Sequence, residues 1–358
     1  IVDYARDHRE VDLIHFWLAD GSNNQCECAL CRDHRPADLY VSMLNQLDKA
    51  LTAADLPHKI VFLIYVDLLW QPEHEHLDNP ERFVLMFAPI TRSYSQPFVP
   101  GKTLPATPPY VRNKLTFPRS AGENLAFLKP WQALAGGETG DGFDFDYHMM
   151  WDHYKDPGHE KLAEVLHADL QNLAAFGLNG LVSCQVQRLF FPAPLLMAIL
   201  ARTLWDRTAG LEAITSDTYR AAYGSDWQKV RSYLNKMSQL FNPPWLRLEE
   251  PLVNEAQQRR LAEVESLVAS FIPELERNSH LADPCQRLSW RLLGLFGAYV
   301  NHLAGFALAL ATGELERAAN KLDALIAWVF RHEPELMYVF DSEIMCNTFK
   351  GLLKAGQA

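Results

Sequence analysis

The sequence predicts an α/β protein: the C-terminal part of a (β/α)8 TIM-type barrel over 1–208, then an α-helical domain over 209–358. Three observations predict it. Apolar strand-like runs alternate with helix-period segments through the first half, the pattern of a parallel sheet with right-handed crossovers. The polar and aromatic residues crowd just after the strands' C-terminal ends, where barrel enzymes keep their sites. Past residue 209 the strand signal stops and only helix-period segments remain.

Taken in order, "VDLIHFWLAD" (11–20) reads as a strand and "ADLYVSMLNQLDKALTAADL" (37–56) as an amphipathic helix. "KIVFLIYVDLLW" (59–70) is apolar throughout, as a parallel strand covered on both faces would be. "ERFVLMFAPI" (81–90) is a third strand, followed by a Pro-rich loop (96–109) and a helix near 119–134. "FDFDYHMMWD" (143–152) is the fourth strand. The helix of 160–178 ends with Gly177 as a natural C-cap, and "NGLVSCQVQ" (179–187) is the fifth strand. The helix of 192–206 carries proline near its start. Five such units also fit an open doubly wound sheet, but no glycine-rich phosphate turn follows any strand, so that reading lacks its signature. The barrel reading implies that the first three units are absent and that an N-terminal portion precedes Ile1. The four long segments after 209 imply a helical bundle.

The chain has 358 residues, 48% of them hydrophobic, enough for a large core. A formal net charge of −11, with Lys and Arg scattered, argues against a nucleic-acid surface. No apolar run reaches the ~18 uninterrupted residues of a membrane helix. Leu292–Ala311, broken by Asn301, His302 and glycines, reads as a buried soluble helix. With no signal-peptide pattern, the expected location is cytoplasmic. Six cysteines are too few for a disulfide scaffold.

The strand ends supply candidate site residues. Asp20 closes the first strand, after Trp17. Tyr65 and Asp67 lie on the second, ahead of "QPEHEH". Arg92 and Tyr94 follow the third. Tyr147, His148, Trp151 and Asp152 follow the fourth, and Gln185 and Arg188 the fifth. Converging carboxylates among aromatic rings suit glycoside hydrolysis. One carboxyl protonates the leaving oxygen while the other attacks the sugar or activates water, roughly 5 Å apart for retention and ~6.5–9.5 Å for inversion. Asp20 leads as catalytic residue, with Asp67 or Asp152 as its partner. Trp17, Trp70, Trp131 and Trp151 offer flat faces for sugar rings. Arg92 or Arg188 could hold an acidic sugar's carboxylate. The plainer alternatives are that an Asp at a strand end caps a helix or forms a turn, and that Trp and Tyr on strands are core. "EHEH" reads as a solvated loop, its spacing wrong for a helical HExxH zinc site.

Cys26, Cys28 and Cys31 stand in metal-like spacing, with His34 beyond. Three Cys and one His is an established zinc set. A local disulfide and three reduced thiols bracing a loop are the alternatives. In each case the cysteines fix the loop that presents Asp20; no cofactor is required, and a structural zinc is the one that the spacing suggests.

The stretches "WLADGSNNQCECALC", "FAPITRSYSQP", "FDYHMMWDHY", "AAFGLNGLVSCQVQRLFFPAPLLMAILARTLWD" and "YRAAYG" together resemble a bacterial family, domain of unknown function 4838, which is similar to glycoside hydrolases of the α-glucuronidase and hexosaminidase type. The resemblance spans about 1–240 in order. It implies a (β/α)8 barrel, of which this chain holds roughly the fourth to eighth strands, and a helical C-terminal region. It also implies that Asp20 is the acid or stabiliser. The "CQVQR" at the last strand departs from a hydrolase pattern, because glutamine cannot exchange a catalytic proton. Two functions follow as expectations: an oligosaccharide hydrolase working through paired carboxylates, and a non-catalytic carbohydrate-binding protein on a barrel scaffold. The helical region covers the barrel or forms the face of a homodimer.

Overall fold

The structure, a computed structural model, describes residues 1–137 and 141–357. The chain divides into two compact units: residues 1–146 with 171–183, and residues 147–170 with those from 184 onward.

In the first unit a short helix, α1 (Val2–Asp7), precedes strand β1 (Leu13–Phe16). Helix α2 (Pro36–Ala53) then leads to β2 (Lys59–Ile64) and β3 (Phe83–Phe87). Helix α3 (Ala121–Leu134) leads to β4 (Gly142–Asp146), and α4 (Glu160–Asn172) leads to β5 (Leu181–Ser183). The five strands are all parallel and lie in chain order, β1-β2-β3-β4-β5. An order without reversal, joined by crossovers of one hand, sends the helices to one face of the sheet. A doubly wound sheet instead reverses its order at the switch point.

The sheet corrects the barrel expectation. It is an open, curled half-barrel of five strands, and no closed eight-strand (β/α)8 barrel forms. The reason lies in pairing. β1 bonds to β2 and β5 to β4, and β1 and β5 do not pair with each other. About eight tilted strands are needed before an interior closes around its side chains. After β5 the described chain contributes helices instead of further strands.

Local chemistry sets the element ends. Helix α2 starts with Pro36 at its first position, where the missing N–H costs nothing. The Asp38 carboxylate there accepts from the Arg35 N–H at 2.8 Å. Ser120 and Glu123 cap each other at the start of α3. β2 is shorter than the sequence predicts because Val66 takes φ +42, costly for a β-branched residue. The chain turns there into a single 3-10 turn, Val66–Leu69. Gly177 takes φ +69 and stops the helical segment after α4, as its position in the sequence predicts.

Period-2 geometry gives the sheet two faces. Ile14, Phe16, Ile60, Phe62, Ile64, Leu85 and Phe87 share the helix-covered one. Phe62 meets the Trp131 ring of α3 at 5.7 Å, and the Tyr40 hydroxyl of α2 donates to the Phe16 carbonyl and accepts from the Leu63 N–H.

The second unit is helical. It holds the turn Asp152–Lys155, most of α4, and α5 (Leu195–Trp205), α6 (Leu211–Tyr223) and α7 (Trp227–Phe241). A short α8 (Pro243–Leu246) follows, then α9 (Glu255–Ala262), α10 (Val264–Asn278) and α11 (Pro284–Ala311). The unit ends with α12 (Leu315–Arg331), the short α13 (Glu333–Leu336) and α14 (Ser342–Gln357). By length and composition α11 could cross a membrane, yet 61% of its most apolar window is buried against the other helices. It packs on α6, α9, α10 and α12. Stacked Tyr233, Phe271 and Trp290 rings fill one part of the core, and Phe191, Phe296, Tyr299 and Phe340 another. Gly158 lets its loop lie directly on α7: an added Cβ would fall 2.0 Å from the Leu234 carbonyl oxygen.

Candidate functional site

The sheet's second face is the candidate site. Register places His15 beside Val61, Leu63 beside Met86, Met86 beside Phe143, and Phe145 beside Val182. Apart from His15, and Lys59 at the start of β2, this face is apolar. Its centre is buried, with Val61 and Met86 fully covered, while Trp17 and Val182 each remain 42% exposed near the two edges. His15, Trp17, Met86, Phe145 and Val182 line a hollow of about 390 Å³. The Trp17 indole meets Phe145 edge-on at 5.6 Å and His15 at 5.5 Å. Partial burial lowers the pKa of His15, which keeps the ring neutral and able to both donate and accept a hydrogen bond.

The three candidate carboxylates do different things. Asp20 is exposed at the bend after β1. Asp67 is buried, and its oxygens accept from the Asn23 N–H at 3.2 and 3.1 Å and from Gln25 Nε2 at 3.0 Å. It therefore pins the loop that follows β1. Asp152 belongs to the helical unit and is buried against Arg247, whose Nε and Nη2 donate to Oδ2 at 2.9 and 2.5 Å. Burial pushes its pKa up, but the Arg247 and Lys155 charges outweigh that and hold it below the usual carboxylate value. A carboxylate so engaged is a poor proton shuttle.

The other predicted contacts separate in the same way. Arg92 is buried with its guanidinium 3.7 Å from the Phe98 ring centroid, donating to Asp146 Oδ2 at 3.1 Å. The Tyr94 hydroxyl donates to the other oxygen of Asp146. Tyr65 is half-buried where β2 gives way to the 3-10 turn. In the helical unit Tyr147 stacks on Trp151 at 5.5 Å, and His148 Nε2 lies 2.8 Å from Asp169 Oδ2. Gln185 donates to the Met197 sulfur at 3.5 Å. Arg188 pairs with Glu333 at 3.0 Å and Asp341 at 3.3 Å. Of the predicted set, the structure brings Trp17 into the hollow and leaves Asp20 three residues beyond it in the chain. His15, Phe145 and Val182 complete the hollow. Their alternation on strands could have singled them out, since a histidine on an otherwise apolar strand face is unusual.

The loop after Trp17 carries the cysteines. The sulfurs of Cys26, Cys28 and Cys31 lie within 4.8 Å of one another, so this cluster could hold a metal ion. A tight turn, with Cys31 N–H donating to the Cys28 carbonyl at 3.0 Å, gathers them. Arg112 donates to the carbonyls of Cys26 (2.9 Å), Cys31 (2.7 Å) and His34. Asn113 accepts from the Gln25 N–H at 2.7 Å and donates to its carbonyl at 2.9 Å. Sharing of hydrogen bonds with Cys26 lowers the Cys28 thiol to about 7, while bonds to Cys28 and Cys26 raise Cys31 to about 11. In the "EHEH" loop Glu73, His74 and His76 are exposed, while the backbone N–H groups of Glu73, His74 and Glu75 donate to the buried Asp38 Oδ1.

No family model matches the chain, and neither the curated proteins nor the solved structures give a significant match.

Proposed function

We propose that this chain binds carbohydrate on the concave side of its half-barrel, without hydrolysing it through the Asp20, Asp67 and Asp152 set. The observation that carries this reading is the Trp17 indole, 42% exposed over an apolar hollow that ends at a neutral histidine. A sugar ring offers apolar C–H faces to an aromatic plane and hydroxyls to a group that both donates and accepts. Paired-carboxylate hydrolysis needs two carboxyl groups free to exchange protons across one bond. Asp67 is committed to Asn23 and Gln25, and Asp152 to Arg247.

The test is calorimetric titration of neutral and acidic oligosaccharides, with aryl glycosides assayed for turnover in parallel. Binding without turnover is expected, and Trp17→Ala should weaken it about tenfold, roughly 1.4 kcal/mol. Undiminished binding by that variant, or turnover abolished by Asp20→Asn, overturns the reading. For the cysteine cluster we propose zinc, because thiolate donors favour a soft cation over calcium or magnesium.

A further inference from the structure

We infer that Cys26, Cys28 and Cys31 form an open, exchangeable site for a thiophilic d10 cation. The three thiolates fill three positions, and the fourth faces solvent, where water gives way to a small thiol. This rests on the zinc reading above and departs from the sealed structural site that the spacing suggests.

Four observations carry it. First, the ligand set stops at three. Among the described residues, these sulfurs form a group of His, Cys, Asp or Glu ligand atoms within 4.8 Å of one another, and no fourth such atom joins it. The His34 ring, the natural fourth candidate, instead packs edge-on to His74 at 5.9 Å. Second, Cys26 and Cys28 are exposed and Cys31 is half-buried, so solvent and small ligands reach the sulfurs. Third, the loop is held without an ion. Arg112 holds three of its carbonyls, Asn113 holds Gln25, and Asp67 holds Asn23. Sites that fold their own protein lack such support, and their chains unfold when the metal is removed. Here the scaffold precedes the ion.

The fourth observation is charge. Three thiolates around a divalent cation carry a net charge of −1. The Arg112 guanidinium, bonded to the carbonyls beneath the loop, supplies the matching positive charge, the kind of outer-shell partner that tunes a metal's ligands. Zinc–sulfur bonds of about 2.3 Å place tetrahedral sulfurs about 3.8 Å apart, so the thiols need to draw in by only about 1 Å. Binding releases the protons still held by the thiols.

The experiment uses the full chain, reduced and freed of metal, titrated with zinc against a chromophoric chelator. X-ray absorption follows, before and after addition of mercaptoethanol. The expected result is one equivalent of zinc, three sulfurs and one oxygen in the first shell, and a shift to four sulfurs with the added thiol. Zinc should also protect three thiols from a disulfide reagent. Stripping the metal should move Tm by less than about 2 °C, because the loop stays held. If no equivalent binds, the zinc reading itself falls. If zinc binds with four protein ligands, ignores the thiol, or its removal lowers Tm by about 10 °C or more, zinc stands and the open site falls. Cys28→Ser should lose at least tenfold in affinity. Thiol protection in the unaltered chain decides the matter if that variant fails to fold.

Discussion

Lowering the pH from 7 to 5 should destabilise the helical unit through two histidines that the fold keeps neutral. His153 and His159 are each 3% exposed, with ring centroids 5.9 Å apart, and each has a buried Nδ1 with no hydrogen-bond partner. Burial, and then the nearby His159, pushes His153 well below its ordinary value. Burial alone pushes His159 down to about 3. In the unfolded chain both titrate near 6.5, so below that pH the unfolded state takes up protons that the fold refuses. Stability from these groups is therefore full above 6.5 and is lost as pH falls toward the folded value. Between pH 7 and 5 each histidine costs about 2 kcal/mol, so the pair costs about 4 kcal/mol. Asp156 and Glu160 act in the opposite sense. Burial raises both, and they return stability as they protonate. A double variant, His153→Gln with His159→Gln, isolates the histidine contribution. Urea unfolding, followed by near-ultraviolet circular dichroism at pH 7 and pH 5, gives the loss for each protein. The unaltered chain should lose about 4 kcal/mol more than the variant. Equal losses would refute the reasoning, since they would mean that the folded rings accept protons freely.

Other expectations rest on single contacts. Arg247→Leu leaves the buried Asp152 carboxylate without its guanidinium and should cost about 3–5 kcal/mol in denaturant unfolding. Asp67→Ala removes the acceptor that Asn23 and Gln25 share. It should cost about 1–3 kcal/mol and make the Cys26–Cys31 loop react faster with a thiol reagent. Gly158→Ala drives a methyl group into the Leu234 carbonyl and should lower Tm, with a loss of 1–3 kcal/mol or more by order of magnitude. Alkylation at neutral pH, read by peptide mass spectrometry, should label Cys28 well before Cys31.

Much of the strand and helix sequence could be read from periodicity, because each element's burial is written locally. The five strands, the helices that follow β1, β3, β4 and β5, and the helical second half appear in the order the alternation gives them. What was not local was not legible. β2 stops at Ile64 because of a backbone conformation at Val66 that apolar patterning cannot register. Closure of a barrel depends on an edge finding a partner, and the strand pattern of one chain does not say whether it does. The carboxylates show this most clearly. Asp67 and Asp152 look alike at strand ends, yet each is engaged by a group 42 to 95 residues away that no motif connects to it. Asp146 reads as one more polar residue on a strand, but it holds both Arg92 and Tyr94. The cysteine cluster was legible because its three thiols sit within six residues of chain.

Arg112 and Asn113 give residues 110–115 a say in the shape of 23–34, although some eighty residues separate them. The cysteine hairpin is therefore one half of a two-part device. Grafted alone onto another scaffold, it would lose the grip that shapes it. Moved together with its distant clasp, it should arrive already formed.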